Sequence, residues 1–279
     1  MKINSHVHSK ASDGSLTQEE MIKEAIKEKV RYICFCDHYR KPSRYLKLKG
    51  KKIGKFDYIG YMKKVKQLAE KYKDKIEVAF GTEMDWIEEF KDWTKKEIRK
   101  YGKRYDLIIG SVHYLKYKDK YIPFDAGFDF WKDISNKLGM KTLIKEYYKQ
   151  IRNLIKSGLF DCIGHFDYIK LYNEKSCLFD EKESWYKQEV LKTLDIARKK
   201  GICIEINTHG FVKRVKEQYP SFWIMKEMKK RNIPITISSD AHHSGQVGDR
   251  LDKAISLARK AGYKEIVKFR KHKKIGIKI

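Results

Sequence analysis

The sequence predicts an α/β fold on a parallel sheet, either closed as a barrel or left open, and three observations predict it. Short apolar runs recur along the 279 residues. Amphipathic segments lie between many of them. Histidines and carboxylates gather at the C-terminal ends of the runs. Continuous apolar runs suit strands covered on both faces, and their alternation with helices is the pattern of a parallel α/β sheet.

The runs are KINSH near residues 2–6, YICFC at 32–36, IEVAFG at 76–81, LIIGSV at 107–112, FDCIG at 160–164, ICIEI at 202–206 and PITISS at 234–239. Thr17-Gln18-Glu19-Glu20 is a capping box that opens a helix with Met21, Ile22, Ala25 and Ile26 on one face. Residues 58–74, 141–157, 182–200 and 251–261 read as further amphipathic helices, and Gly201 and Gly262 stand where a helix C-cap glycine belongs. No repeat, linker or low-complexity segment interrupts the pattern, so one domain over 1–279 is expected. The basic stretch KFRKHKKIGIKI ends apolar, like a closing strand.

Bulk composition narrows the class. No apolar run approaches the ~18–20 residues that a membrane helix needs, and the N-terminus MKINSHVHSKASDG has no apolar signal segment, so the cytosol is the expected compartment. Cys34, Cys36, Cys162, Cys177 and Cys203 are odd in number and lack C-x-x-C spacing, which reads as reduced thiols rather than disulfides or zinc thiolates. A formal charge of +26 admits a nucleic-acid partner or an anionic substrate. The basic residues are nevertheless spread along the chain and mixed with Glu at helical spacing, which favours solvated helix faces.

The chemistry lies at the run ends. The first run ends in His6-Val7-His8, followed by Asp13; the second ends in Asp37-His38, the third in Glu83, the fourth in His113, the fifth in His165 and the seventh in Asp240-Ala241-His242. Parallel strands collect their C-terminal ends on one face, where barrel active sites sit. Period 2 also puts His6 with His8, and Asp240 with His242, on a common strand face. Nine imidazole and carboxylate ligands exceed what one tetrahedral ion takes. They imply two or three divalent ions of the zinc, iron or manganese type, with a bridging carboxylate. Asp37, Asp85 and Asp167 lie beside these positions and are candidates to hold ligand imidazole N–H groups. His209, near the sixth run end, is a candidate proton donor to a leaving alkoxide or a substrate contact, and His243 and His272 read as surface residues.

The segments HVHSKASDG, CDH, GTEMDW, GSVHYL, GHFDYIK and SSDAHH, in this order from residue 6 to residue 243, resemble the PHP (polymerase and histidinol phosphatase) superfamily. The likeness is greatest to its stand-alone histidinol-phosphate phosphatases. It implies a distorted (β/α)7, TIM-like barrel with a trinuclear metal site at the C-terminal strand ends. One ion would take His6, His8, Glu83 and Asp240; a second would take Glu83 as a bridge with His113 and His165; a third would take Asp13, His38 and His242. The resemblance further implies Lys170 as a phosphate contact. Val212 stands where the family commonly has a phosphate-gripping Arg, which leaves Lys213 or Arg214 to compensate.

The implied activity is hydrolysis of a phosphate monoester, L-histidinol phosphate, in histidine biosynthesis. Glu83 would bridge the ions that activate water, and Lys170, Lys213 and Arg214 would neutralise phosphate charge. Asp85 and Glu205 are alternatives for pairing the substrate amine. The rival enzyme is a PHP phosphoesterase or exonuclease acting on nucleotides or nucleic acid. The rival non-enzyme is a structural metal-binding module.

Overall fold

Seven parallel strands neighbour one another in the order β1, β2, β3, β4, β7, β8, β9. They are β1 (Ile3–Val7), β2 (Tyr32–Phe35), β3 (Glu77–Asp85), β4 (Leu107–Ser111), β7 (Cys162–Ile163), β8 (Cys203–Asn207) and β9 (Ile235–Ser238), with the hairpin β5 (Tyr114–Tyr117) and β6 (Lys120–Pro123) between β4 and β7. The sheet curls until its ends meet. The Asp240 amide donates to the His6 carbonyl at 2.9 Å, and the His8 amide to the Ala241 carbonyl at 2.9 Å. This computed structural model describes residues 1–39, 41, 57–117 and 120–279.

All seven apolar runs of the sequence are strands of this nearly closed barrel, buried throughout along β1, β2, β4, β7, β8 and β9. Helices α1 (Gln18–Lys27), α2 (Tyr58–Tyr72), α3 (Lys91–Tyr101), α4 (Phe128–Leu138), α5 (Met140–Ser157), α6 (Ser184–Lys200), α7 (Phe222–Lys230) and α8 (Leu251–Lys260) surround it. The α1 capping box forms: the Glu20 amide donates to Thr17 Oγ1 at 3.3 Å and the Thr17 amide to the Glu20 carboxylate at 2.8 Å. Inside the barrel, a Cβ on Gly81 would stand 2.7 Å from Cys36 Sγ and 2.8 Å from Cys34 Sγ, so glycine makes room for the two thiols. All five cysteines are free, and only Cys177 is exposed.

Three helices and two hairpins were not legible in the sequence. Helix α3 presents too few apolar residues in KDWTKKEIRKY to mark a stripe, α4 is separated from α5 by Gly139 alone, α7 has only nine residues, and β5–β6 is rich in Lys and Tyr. The C-terminal basic stretch does not close the barrel. It forms an antiparallel hairpin, β10 (Glu265–Arg270) with β11 (Lys273–Lys278), against the N-terminal strand ends. There Arg270 meets Glu77 at 2.9 Å and Asp106 at 3.2 Å, and His272 meets Asp161 at 2.8 Å. Among the described residues no helix is long and apolar enough to cross a membrane.

Candidate metal centre

Each strand end delivers its side chain by local geometry. His6 lies within β1 and His8 one residue past it, so strand alternation aims both to one side. The turn after β1 is held by Asp37, whose carboxylate accepts from the Ser9 amide at 2.7 Å, Ser9 Oγ at 2.8 Å, Ser12 Oγ at 2.6 Å and Tyr61 OH at 2.6 Å. Gly14 closes that turn, because a Cβ there would sit 2.6 Å from the His8 carbonyl oxygen. Asp13 is carried on this turn. Strand β3 continues past Gly81 to place Glu83 and Asp85 within the sheet. His165 and Asp240 have φ of +23° and +52°, a left-handed conformation unfavourable for residues with a Cβ. Such strain is held by surrounding structure and concentrates at functional sites.

The structure gathers all nine expected ligands. His6 Nε2 and His8 Nε2 are 2.9 Å apart, and His8 Nε2 is 3.1 Å from Asp240 Oδ1. Glu83 Oε2 lies 3.6 Å from His6 Nε2 and 3.7 Å from His8 Nε2. Its other oxygen, Oε1, lies 3.1 Å from His165 Nε2 and 3.6 Å from His113 Nε2, and those two nitrogens are 3.1 Å apart. Asp13 Oδ2 is 3.4 Å from His38 Nε2 and 3.5 Å from His242 Nε2. His38 faces two ways, since its Nδ1 stands 2.9 Å from Glu83 Oε2. His209 also lies within ligand reach of Asp240 and His242.

These residues fit divalent cations. Donors around a tetrahedral ion with bonds of about 2.1 Å stand ~3.4 Å apart, close to the separations here. The imidazole arrangement points the same way. His6 Nδ1 donates to Glu205 Oε1 at 2.9 Å and His113 Nδ1 to Asp85 Oδ1 at 2.5 Å. With Nδ1 held by a carboxylate, each ring turns its Nε2 to the cluster, His6 towards His8 at 2.9 Å and His113 towards His165 at 3.1 Å, an arrangement that a shared cation relieves.

Electrostatics follow from crowding. Burial alone would lower His6 and His38, but the facing carboxylates raise both; His6 feels Asp240, Glu205 and Glu83, and His38 feels Glu83 and Asp13. His8 is lowered, by burial and then by His38 and His242. Burial opposes the charge on Asp13, Glu83 and Asp240, yet the surrounding imidazoles hold all three carboxyls below their usual range.

Of the three carboxylates expected to hold imidazoles, Asp85 does so. Asp37 holds the Ser9–Ser12 turn instead, and Asp167 accepts from the Ser221 amide at 2.9 Å and pairs with Lys170 at 3.0 Å. Glu205, one of the two sequence candidates for pairing a substrate amine, holds His6 instead. It is fully buried and also accepts from the His165 amide at 2.8 Å and Asn207 Nδ2 at 3.0 Å. Among the described residues, His165 Nδ1 is buried without a hydrogen-bond partner.

The cluster floors a cleft of about 540 Å³, whose walls include Lys41, Tyr114, Phe124, Asp125, Tyr168, His209, Val212 and Lys213. Of the three basic side chains expected at a phosphate, Lys213 lines this cleft. Lys170 does not: its side chain is wholly buried, with Nζ 2.5 Å from Glu217 Oε1 and 2.6 Å from Ser221 Oγ. Arg214 also turns away, to Glu174 at 3.7 Å and over the Phe128 ring at 3.7 Å. Lys41, which the sequence did not single out, reaches the cleft with Nζ 3.1 Å from Asp85 Oδ2 and 2.7 Å from Tyr114 OH. His209 donates from Nδ1 to the Asp240 carbonyl at 2.8 Å, and burial first, then Lys213 and His242, bring it down to about 4. Its ring is therefore neutral near pH 7, which suits accepting a hydrogen bond rather than supplying a proton. His243 is exposed at the cleft rim, whereas His272 is half-buried under the barrel with both ring nitrogens on acceptors, Asp161 and the Gly102 carbonyl.

Comparison with known proteins gives a consistent result. Residues 4–209 match the family model described as the PHP domain. The chain is 27% identical over 262 residues to a Deinococcus radiodurans protein named "Probable histidinol-phosphatase", covering 93% of each. It is 26% identical over 242 residues to a Bacillus subtilis protein named histidinol-phosphatase, covering 83% of this chain and 89% of that one. A crystal structure of the Lactococcus lactis histidinol phosphate phosphatase complexed with zinc, L-histidinol and phosphate superposes with a TM-score of 0.79 at 25% identity, covering 98% of both chains.

Proposed function

The chain belongs to the PHP domain family, and from that premise we propose that it is a metal-dependent phosphomonoesterase that hydrolyses L-histidinol phosphate to L-histidinol and phosphate. The observation that carries this reading is the two-sided use of Glu83, with one oxygen towards His6 and His8 and the other towards His113 and His165, on the floor of an open cleft. The full-length likeness to the Lactococcus lactis protein, which binds zinc, L-histidinol and phosphate, supports the substrate.

His6, His8, Glu83 and Asp240 would hold one ion; Glu83, His113 and His165 a second; and Asp13, His38 and His242 a third. Nitrogen and oxygen donors without thiolate suit zinc, iron or manganese. When bound, such ions polarise phosphoryl oxygens and bring the pKa of a ligating water towards about 7.

The chain's own groups do the rest. Glu205 and Asp85 hold His6 and His113 by Nδ1, so each Nε2 keeps its lone pair for the cluster. Lys213 on the cleft wall offers positive charge to the phosphate, beside the apolar and 43% exposed Val212. Lys41 adds a second cation, fixed beside His113 by its contact with Asp85. His209 keeps its proton on Nδ1 for the Asp240 carbonyl, leaving Nε2 to accept from substrate.

The large positive charge is dispersed. Lys73, Lys137, Lys149 and Lys230 pair with acids three or four residues away on exposed helix faces. No specific observation favours a nucleic-acid substrate.

The test is phosphate release by protein loaded with zinc, manganese or iron, on L-histidinol phosphate beside nucleoside monophosphates and a single-stranded oligonucleotide. Strong preference for L-histidinol phosphate, lost in His8→Ala and Glu83→Ala, is expected. Cleavage of the oligonucleotide with L-histidinol phosphate untouched overturns the reading.

A further inference from the structure

Among the described residues, the cleft contains one carboxylate that the metal cluster does not use. Among its lining residues Asp13, Glu83 and Asp240 belong to the cluster, and the remaining acid is Asp125. Asp85 and Glu205, the two acids that the sequence offered for a substrate amine, are already committed to His113 and His6. Asp125 is exposed, and among the described residues its carboxylate makes no hydrogen bond or ion pair.

The loop that carries Asp125 is pinned on both sides. The Phe124 amide donates to the carbonyl of His113 at 3.1 Å, which ties the loop to a residue of the cluster. The Trp131 indole N–H donates to the carbonyls of Pro123 and Phe124 at 3.1 and 3.0 Å, and the Phe124 ring stacks on Trp131 at 4.9 Å. Two residues beyond Asp125, the Gly127 amide donates to Tyr172 OH at 3.0 Å; φ is +97° there, so glycine suits the position. Asp125 also stands close to aromatic rings. Burial raises Tyr168 and Tyr172, and the Asp125 charge adds to the shift in both. Such a frame costs little further ordering when a ligand arrives.

A phosphate seated at the cluster leaves the alcohol portion of its ester to face the cleft walls. Those walls combine the rings of Tyr114, Phe124 and Tyr168 with the free charge of Asp125. An alcohol with an aromatic ring and a primary ammonium two carbons from the ester oxygen matches both features. We propose that Asp125 is a specificity-determining residue, receiving the substrate ammonium at the cleft wall and so selecting amino-alcohol phosphates over neutral ones. The inference rests on the reading of the site as a histidinol-phosphate phosphatase and adds the group that would recognise the amine.

The experiment compares the metal-loaded full chain with D125N and D125E on three substrates: L-histidinol phosphate, 3-(imidazol-4-yl)propyl phosphate, which lacks only the amine, and p-nitrophenyl phosphate. In D125N, kcat/KM for L-histidinol phosphate should fall about tenfold through KM, the lower end for a charged hydrogen bond at a half-open site. The two amine-free esters should be unchanged, and D125E should recover part of the loss. D125N that still prefers the amine-bearing ester, or that slows all three substrates alike at unchanged Tm, overturns the inference. The underlying function fails separately: wild-type protein that cleaves p-nitrophenyl phosphate but not L-histidinol phosphate overturns the function reading, and this inference with it.

Discussion

His6 and Glu205 form a buried pair across 199 residues of sequence, with Nδ1 of one 2.9 Å from Oε1 of the other and neither side chain open to solvent. The pair links β1 to β8 and sets which His6 nitrogen faces the cluster. Partners of this kind typically change metal affinity by about 10–100-fold when removed. Glu205→Gln should therefore weaken metal binding by about that factor, read by competition with a chromogenic chelator. Unchanged affinity would mean that the His6 orientation does not depend on Glu205.

Glu83 has a larger role, because both of its oxygens face histidines. Glu83→Gln should cut kcat by more than about a thousandfold if it bridges ions that supply the nucleophile. It should also lower the number of ions retained after gel filtration, counted by mass spectrometry. Full metal content with lost activity would separate catalysis from metal holding and count against the bridging role.

Lys170 and Lys213 should respond oppositely to the same substitution. Lys170 is enclosed by Asp167, Glu217 and Ser221 and does not line the cleft. Breaking a buried pair strands the remaining charge and costs about 3–5 kcal/mol. Lys170→Met should therefore lower Tm by roughly 6–15 °C, with KM little changed. Lys213→Met should leave Tm in place and raise KM, together with the inhibition constant of inorganic phosphate, by about tenfold. A raised KM in Lys170→Met without loss of Tm would restore it as a phosphate contact.

His272 predicts a pH dependence of stability rather than of catalysis. Its hydrogen bond to Asp161 raises it above the ordinary imidazole value, against burial. A group raised in the folded state stabilises fully below its unfolded pKa, about 6.5, and loses that contribution as pH rises through the folded value. The side chain is 34% exposed, so the contribution is modest. His272→Gln should lower Tm by about 1–3 °C at pH 5.5 and by less at pH 9. An equal loss at both pH values would show that packing, not charge, holds the hairpin.

The chain's strand runs and the positions of its candidate ligands were legible because both are local. Apolar runs mark buried strands, and a parallel barrel collects their C-terminal ends on one face whatever the detailed packing. His6, His38, Glu83, His113, His165 and Asp240 could thus be associated before any distance was known. Tertiary structure alone decided the partners. Asp37 adjoins His38 in sequence, yet it turns to the Ser9–Ser12 turn, as neighbouring extended residues point to opposite sides. Glu205 reaches His6 only because β8 and β1 flank β9 in the closed barrel. Lys170 matches a basic position of the family in sequence, which suggests a phosphate contact, but the fold wraps Glu217 and Ser221 around it. Lys41 and Asp125 carry no local pattern and enter the cleft through loops. Periodicity records which way a side chain faces along its own strand or helix; which side chain it meets depends on segments far apart in the chain, and only the folded barrel sets those distances.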